Sequence, residues 1–149
     1  MTDSIRQQIM AALEDQLQTI KTAAGYNSNL GSYVYEWEGN ERISDSALPC
    51  VVYRDKSQTT AQTVGQQEHT LTVELQIISN STASVMRGII ADVTKCLGGN
   101  LTLGGLAEDI RPIADEEVIV EHNERRYFGV TMQVEVLFVT NNWDPYSAT

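Results

Sequence analysis

Apolar and polar residues alternate through the last part of the chain. Phe128, Val130, Met132, Val134, Val136 and Phe138 fall on every second position. A period of two predicts a β-strand with one buried face. From Arg126 to Thr140 there is no proline, and Gly129 is the only glycine. Such a strand spans roughly 50 Å, whereas a compact body of this length is only about 38 Å across. The run Val136-Leu137-Phe138-Val139 stops alternating, so both faces of that strand end call for cover.

The same reading places the other elements. Ile5, Ile9, Leu13, Leu17 and Ile20 repeat at helical spacing behind Ser4, a capping residue with Gln7 three positions on, and Gly25 closes the segment. Tyr33, Tyr35 and Trp37 alternate toward a turn at Gly39-Asn40. Residues 43–49 read as irregular, and Cys50 to Tyr53 as a short strand. Lys56 to Gln67 (KSQTTAQTVGQQ) holds Val64 as its one sizeable apolar residue and reads as a long exposed loop. In His69 to Ser79, Leu71, Val73, Leu75 and Ile77 share a face, with Thr72, Glu74 and Gln76 on the other. Asn80-Ser81-Thr82 caps a second helix carrying Val85, Met86, Ile89, Ile90, Val93, Cys96 and Leu97 on one side, and Gly98-Gly99 ends it. Ile110, Ile113, Val118, Ile119 and Val120 mark an acidic, extended arm that turns around residues 122–124 into the final strand. The sum is an α+β fold in one domain, residues 1–149: an antiparallel sheet, two helices packed on one face, and a long C-terminal β-hairpin.

Composition adds limits. The 149 residues are 42% hydrophobic and 20% charged, values of a globular domain. No apolar stretch approaches the ~20 residues of a membrane span, and MTDSIRQQ lacks the basic and apolar regions of a signal peptide. The expected location is therefore inside a cell, or in a particle assembled there. Cys50 and Cys96 fall in apolar patterns and are expected as buried free thiols. A net charge of −10 argues against a surface that grips phosphates. It suits a passage that repels nucleic acid in transit.

No constellation for catalysis or cofactor binding emerges. In KCLGGNLTLGGL, Lys95 precedes the glycines and no helix follows, so the stretch reads as a helix stop and a turn, not a phosphate loop. His69 and His122 lie in separate segments, and neither cysteine has a partner at ligand spacing, so no metal site is assigned. No activated nucleophile is recognisable, and Glu74 and Glu135 fall on polar strand faces. The chain is read as a non-enzyme without cofactors.

The element order, together with LPCVVYRD, HTLTVELQIIS, GLAEDIRPI and the closing VEVLFVTNNWDPY, resembles the tail terminator (minor tail, tail-completion) proteins of long-tailed bacteriophages and prophages. The resemblance covers most of the chain. It implies a small α+β subunit of a homo-oligomeric ring, usually of six, located in the virion. The ring would cap the tail tube, end its polymerisation and meet a head–tail connector, while DNA passes through the lumen. Its partners would be copies of itself, the tail-tube protein and the connector. The stretch with Lys56, Thr59, Thr60, Gln62 and Val64 would engage neighbouring subunits or the tube. Arg54, Arg111, Arg125 and Arg126 would face acids across the joint, and Leu137 and Val139 would be covered there. Trp143 and Tyr146 belong to a tail that either docks on a neighbour or frays. Two other readings stay open: a head–tail connector subunit, and a stand-alone binding module or small hydrolase whose acidic residues 108–124 face a cationic or metal-dependent ligand.

Overall fold

The computed structural model describes residues 2–37, 45–122 and 125–148, with the backbone alone for residues 45, 120–122, 125 and 126. The turn expected at Gly39-Asn40 lies outside the described residues, as does the apex at residues 123–124.

Helix α1 spans Ile5–Leu17. Ser4 caps it, its hydroxyl accepting from Gln7 N at 3.1 Å, which satisfies one of the orphan donors of the first turn. The helix ends at Leu17, earlier than the stripe predicts. Ile20 is still buried, but on the connection that follows. Gly25 closes a separate 3₁₀ turn, Thr22–Ala24. Helix α2 spans Ala83–Gly98, capped by Thr82. Its Met86, Ile89, Val93, Cys96 and Leu97 are buried, whereas Val85, expected inward, is exposed. The helices are pinned together where Gln16 Nε2 donates to Cys96 O at 3.0 Å and Cys96 Sγ donates to Gln16 O at 3.1 Å.

Five strands form one sheet: β1 (Val34–Glu36), β2 (Cys50–Thr63), β3 (Gln66–Ser79), β4 (Asp109–His122) and β5 (Arg125–Asn141), in the order β1-β2-β3-β5-β4. All neighbours are antiparallel except β1 and β2, so the sheet is mixed rather than wholly antiparallel. The long C-terminal hairpin is present as β4 and β5. Directly paired residues share a face. Leu71, Val73, Leu75 and Ile77 lie opposite Val136, Val134, Met132 and Val130, and all join the stripes of both helices in one core. Both helices therefore cover the same face. A small second core sits on the other face, made by Cys50, Val52, Ile78 and Tyr127. The two cysteines are free and belong to opposite faces. Burial pushes the Cys50 thiol up to about 11.

The stretch expected as a loop, Lys56 to Gln67, is strand. β2 continues to Thr63, turns in two residues at Val64-Gly65, and pairs back along β3. Gly65 takes φ +84, a conformation that favours glycine. Its three threonines suit a pleated backbone. The hydrophobic alternation is missing because residues 57–63 hold only Ser, Gln, Thr and Ala, and Lys56 is in addition an extra residue between the pairs Asp55–Val73 and Ser57–Thr72. That bulge flips the parity. It turns Gln58, Thr60 and Gln62 to the helix side.

The helices are about 20 and 24 Å long, against about 57 Å for β5. The chain covers part of the difference itself. Residues 142–148 fold back over the Gln66 end of β3: Asn141 N donates to Ser147 O at 3.1 Å, and Ile5 N donates to Pro145 O at 2.8 Å. Trp143 N donates to Gln67 Oε1 at 3.2 Å. Val139 is buried from within the chain (5% exposed), and Leu137 is half-buried. The expected need for outside cover at this strand end therefore does not hold for Val139.

Two tight points lock the α1–β1 connection. Asp92, buried on α2, accepts from Asn27 N at 2.9 Å and from the Ser28 hydroxyl at 2.6 Å. A Cβ at Gly31 would lie 2.5 Å from Gln18 O. Gly31→Ala must push two backbone segments apart. It is expected to cost about 1–3 kcal/mol, read as a lower urea midpoint at an unchanged m-value.

Candidate interaction surface

Among the described residues, no three His, Cys, Asp or Glu side chains are grouped to hold a metal ion. What the surface offers instead is long sheet edges, one charged hub and several exposed apolar side chains.

The hub is Glu74, on the sheet face away from the helices. Arg54 sits opposite it on β2, with Nε and Nη2 at 2.9 and 2.8 Å from Oε2. Lys56 Nζ lies 3.2 Å from Oε1, and Gln133 Nε2 donates to Oε1 at 3.2 Å. Partial burial pushes the carboxyl up, but the hydrogen bonds from Arg54, Lys56 and Gln133 outweigh it and hold Glu74 below its ordinary value. Two cations thus share one carboxylate at the outer side of β2. Asp55 does not offset them there, because it points to the helix face and pairs with Arg6 at 2.7 Å.

A second polar cluster lies at the other end of β3. His69 is buried and stacks on Phe138, ring centroids 4.6 Å apart. Its Nδ1 is 2.9 Å from the Thr60 hydroxyl, and its Nε2 is 2.8 Å from that of Thr140. Burial lowers its affinity for a proton. The ring therefore ties β2, β3 and β5 together in its neutral form. It also borders an open cleft of about 370 Å³ under the folded-back tail, walled by Ser4, Gln58, Gln67, Trp143 and Pro145.

The residues assigned from sequence fall in three groups. Thr59, Thr60, Gln62 and Val64 run along the outer half of β2 to its tip, at the same end of the sheet as Leu137, Val139 and Trp143. Val64 is fully exposed, Trp143 is 81% exposed, and Tyr146 is exposed on the same tail. Arg54 and Lys56 meet at Glu74, while Arg111 pairs with Asp109 on its own strand at 3.3 Å. Arg125 and Arg126 enter β5 at the opposite end, paired in backbone register with His122 and Glu121; their side chains lie outside the described residues. The Glu74 hub and the His69 cluster were missed by sequence reasoning. Each is made by residues far apart in sequence, and no local spacing marks them.

No family model matches this sequence, and no curated protein does. Among solved structures, the chain is similar to one described as the virion of a native gene transfer agent (GTA) particle. The superposition has a TM-score of 0.61 at 18% identity and covers 85% of this chain and 92% of that one. At such identity the likeness shows a common fold.

Two titrations separate by pH. The unfolded chain accepts a proton at His69 near pH 6.5, whereas the folded ring resists it. This contribution is complete above pH 6.5 and is lost as pH falls from there through the folded value. Urea midpoints should therefore drop between pH 7 and 5 more steeply in the native chain than in His69→Gln. Glu74 acts lower: its contribution is present above the ordinary carboxylate value and lost as pH falls through its depressed folded value. Glu74→Gln should cost about 1 kcal/mol at pH 7 and reduce the acid-side loss below about pH 4.3, read from melts across pH.

Proposed function

We propose that this chain is a non-enzymatic structural subunit of a phage-like virion. It assembles with its own copies into a ring, expected to be hexameric, that caps the tail tube. The ring ends tube polymerisation and offers its other side to the head–tail connector, with DNA passing through the lumen. The observation that carries the reading is the shared fold with the gene transfer agent virion chain, over 92% of that chain's length.

Physical features agree with the role. Val64 at the tip of the β2–β3 hairpin and Trp143 and Tyr146 on the tail are exposed apolar side chains available to protein partners. Lys56, Thr59, Thr60 and Gln62 border it along β2. Arg54, Arg111, Arg125 and Arg126 supply the positive charge that ten net negative charges per copy require at a joint. The same negative excess keeps DNA from adhering to the wall of the passage.

Size-exclusion chromatography with light scattering, run across protein and salt concentration and with added tail-tube protein, tests the reading. A species of roughly six times the 16.5 kDa chain, alone or on tube ends, is expected. A strict monomer that gains no mass with tube protein would overturn it. Trp143→Ala and Tyr146→Ala alter only exposed side chains of the tail. Each should weaken binding to tube ends at least tenfold while leaving Tm within about 2 °C of the native chain.

A further inference from the structure

We propose that neighbouring copies join by continuing the sheet. Residues 54–64 of β2 in one copy, with Lys56 passed over as the bulge it already forms beside β3, pair antiparallel with residues 113–122 of β4 in the next. The inference rests on the self-assembling reading above and specifies its joint.

The first support is that, among the described residues, both strands present open edges. β1 lines β2 only along Val51, Val52 and Tyr53, and one further bond joins Trp37 N to Tyr53 O. Beyond Tyr53, no other strand among the described residues flanks β2 on its outer side. β4 is outermost along its whole length. Rows of unpaired peptide groups are templates for strand addition.

The second support is direction. β2 is antiparallel to β3, β3 to β5, and β5 to β4. β2 and β4 therefore run oppositely, and a β4–β2 joint between copies repeats the antiparallel pattern with all helices on one side. A joint of unlike edges is head-to-tail and can close a ring.

The third support is length. On β2 the free edge runs from Arg54, where β1 stops, to Val64 at the turn, ten residues besides the bulged Lys56. On β4 the matching ten begin just past Pro112, which has no N–H to give, and end at His122. In this register the exposed Val64 comes level with Ile113, itself 49% exposed. Ile119, 65% exposed, comes level with Gln58. Within one copy Arg54 is level with Ala114, through Glu74 and Gln133. The joint therefore slides each copy by eight residues relative to the last, and a fixed stagger is what closing a sheet into a barrel requires.

Charge then selects the pairing. β4 carries five acids against one arginine, so two β4 edges repel each other. Asp115, Glu116 and Glu117 are exposed and form no ion pair among the described residues. The β2 edge holds Arg54 and Lys56 on a single carboxylate, a surplus of positive charge. The register brings that surplus level with His122 and Glu121, while Asp115, Glu116 and Glu117 come level with the uncharged Gln62, Ala61 and Thr60. A two-fold β2–β2 joint would stop at a dimer and leave β4 bare.

The register sets Ala61 level with Glu116 of the next copy, whereas within one copy they lie on opposite edges of the sheet. Ala61→Cys/Glu116→Cys, assembled and then oxidised, should give a ladder of covalent oligomers on non-reducing gels. A61E/Q62E sets acids against Glu116 and Asp115 and should raise the half-assembly concentration at least tenfold. Adding D115K/E116K to that chain should restore it to within about threefold. All these positions are exposed, and circular dichroism of each variant verifies folding. Rings that form normally but give no ladder, and that ignore the charge swap, overturn the joint and leave the ring reading standing. A native chain that stays monomeric with and without tube protein overturns both.

Discussion

Everything in this fold leans on the pairing of β3 with β5. Fourteen consecutive residue pairs link them, from Gln66–Asn141 to Ser79–Phe128. Neither strand is an edge, and their shared face carries the apolar residues that hold both helices. A one-residue slip would move Leu71, Val73, Leu75 and Ile77 to the polar side. The core therefore specifies this register, and the register positions everything else. It sets Glu74 between Arg54 and Gln133, and His69 between Thr60 and Thr140.

The division of the sheet into a covered middle and bare margins follows from lengths. Two short helices shield the centre, and the folded-back tail shields one end. The outer half of β2 and β4 beyond Ile110 remain as polar backbone with scattered apolar side chains. A chain that only had to be stable would gain little from carrying strands past its own helices. The margins are what the self-assembling subunit proposed above would use.

Legibility in the sequence followed the same division. Where one face is buried and the other wet, alternation is clean, and β3, β5 and both helix stripes were readable from residue types alone. Ser4 and Thr82 marked the helix starts, because a capping hydroxyl has a local signature. The outer half of β2 was not readable, since neither of its faces is covered and the Lys56 bulge breaks what periodicity remains. Its pairing is inherited from β3 across a two-residue turn. The parallel partnership of β1 was hidden for a related reason: three residues carry no sign of strand direction. Glu74 and His69 looked like ordinary polar positions until register supplied their neighbours. Asp92 reads as a polar interruption of an apolar stripe, and only the fold shows that it anchors the loop at Asn27 and Ser28.

The ladder between β3 and β5 has a mechanical consequence. Its hydrogen bonds lie across the strand direction. A pull along β5 therefore strains all rungs at once, in shear, instead of peeling them one after another. A subunit that transmits tension lengthwise would fail as a block at high load. The same subunit tugged sideways at β4 would unzip from its margin, which is a soft direction beside a stiff one.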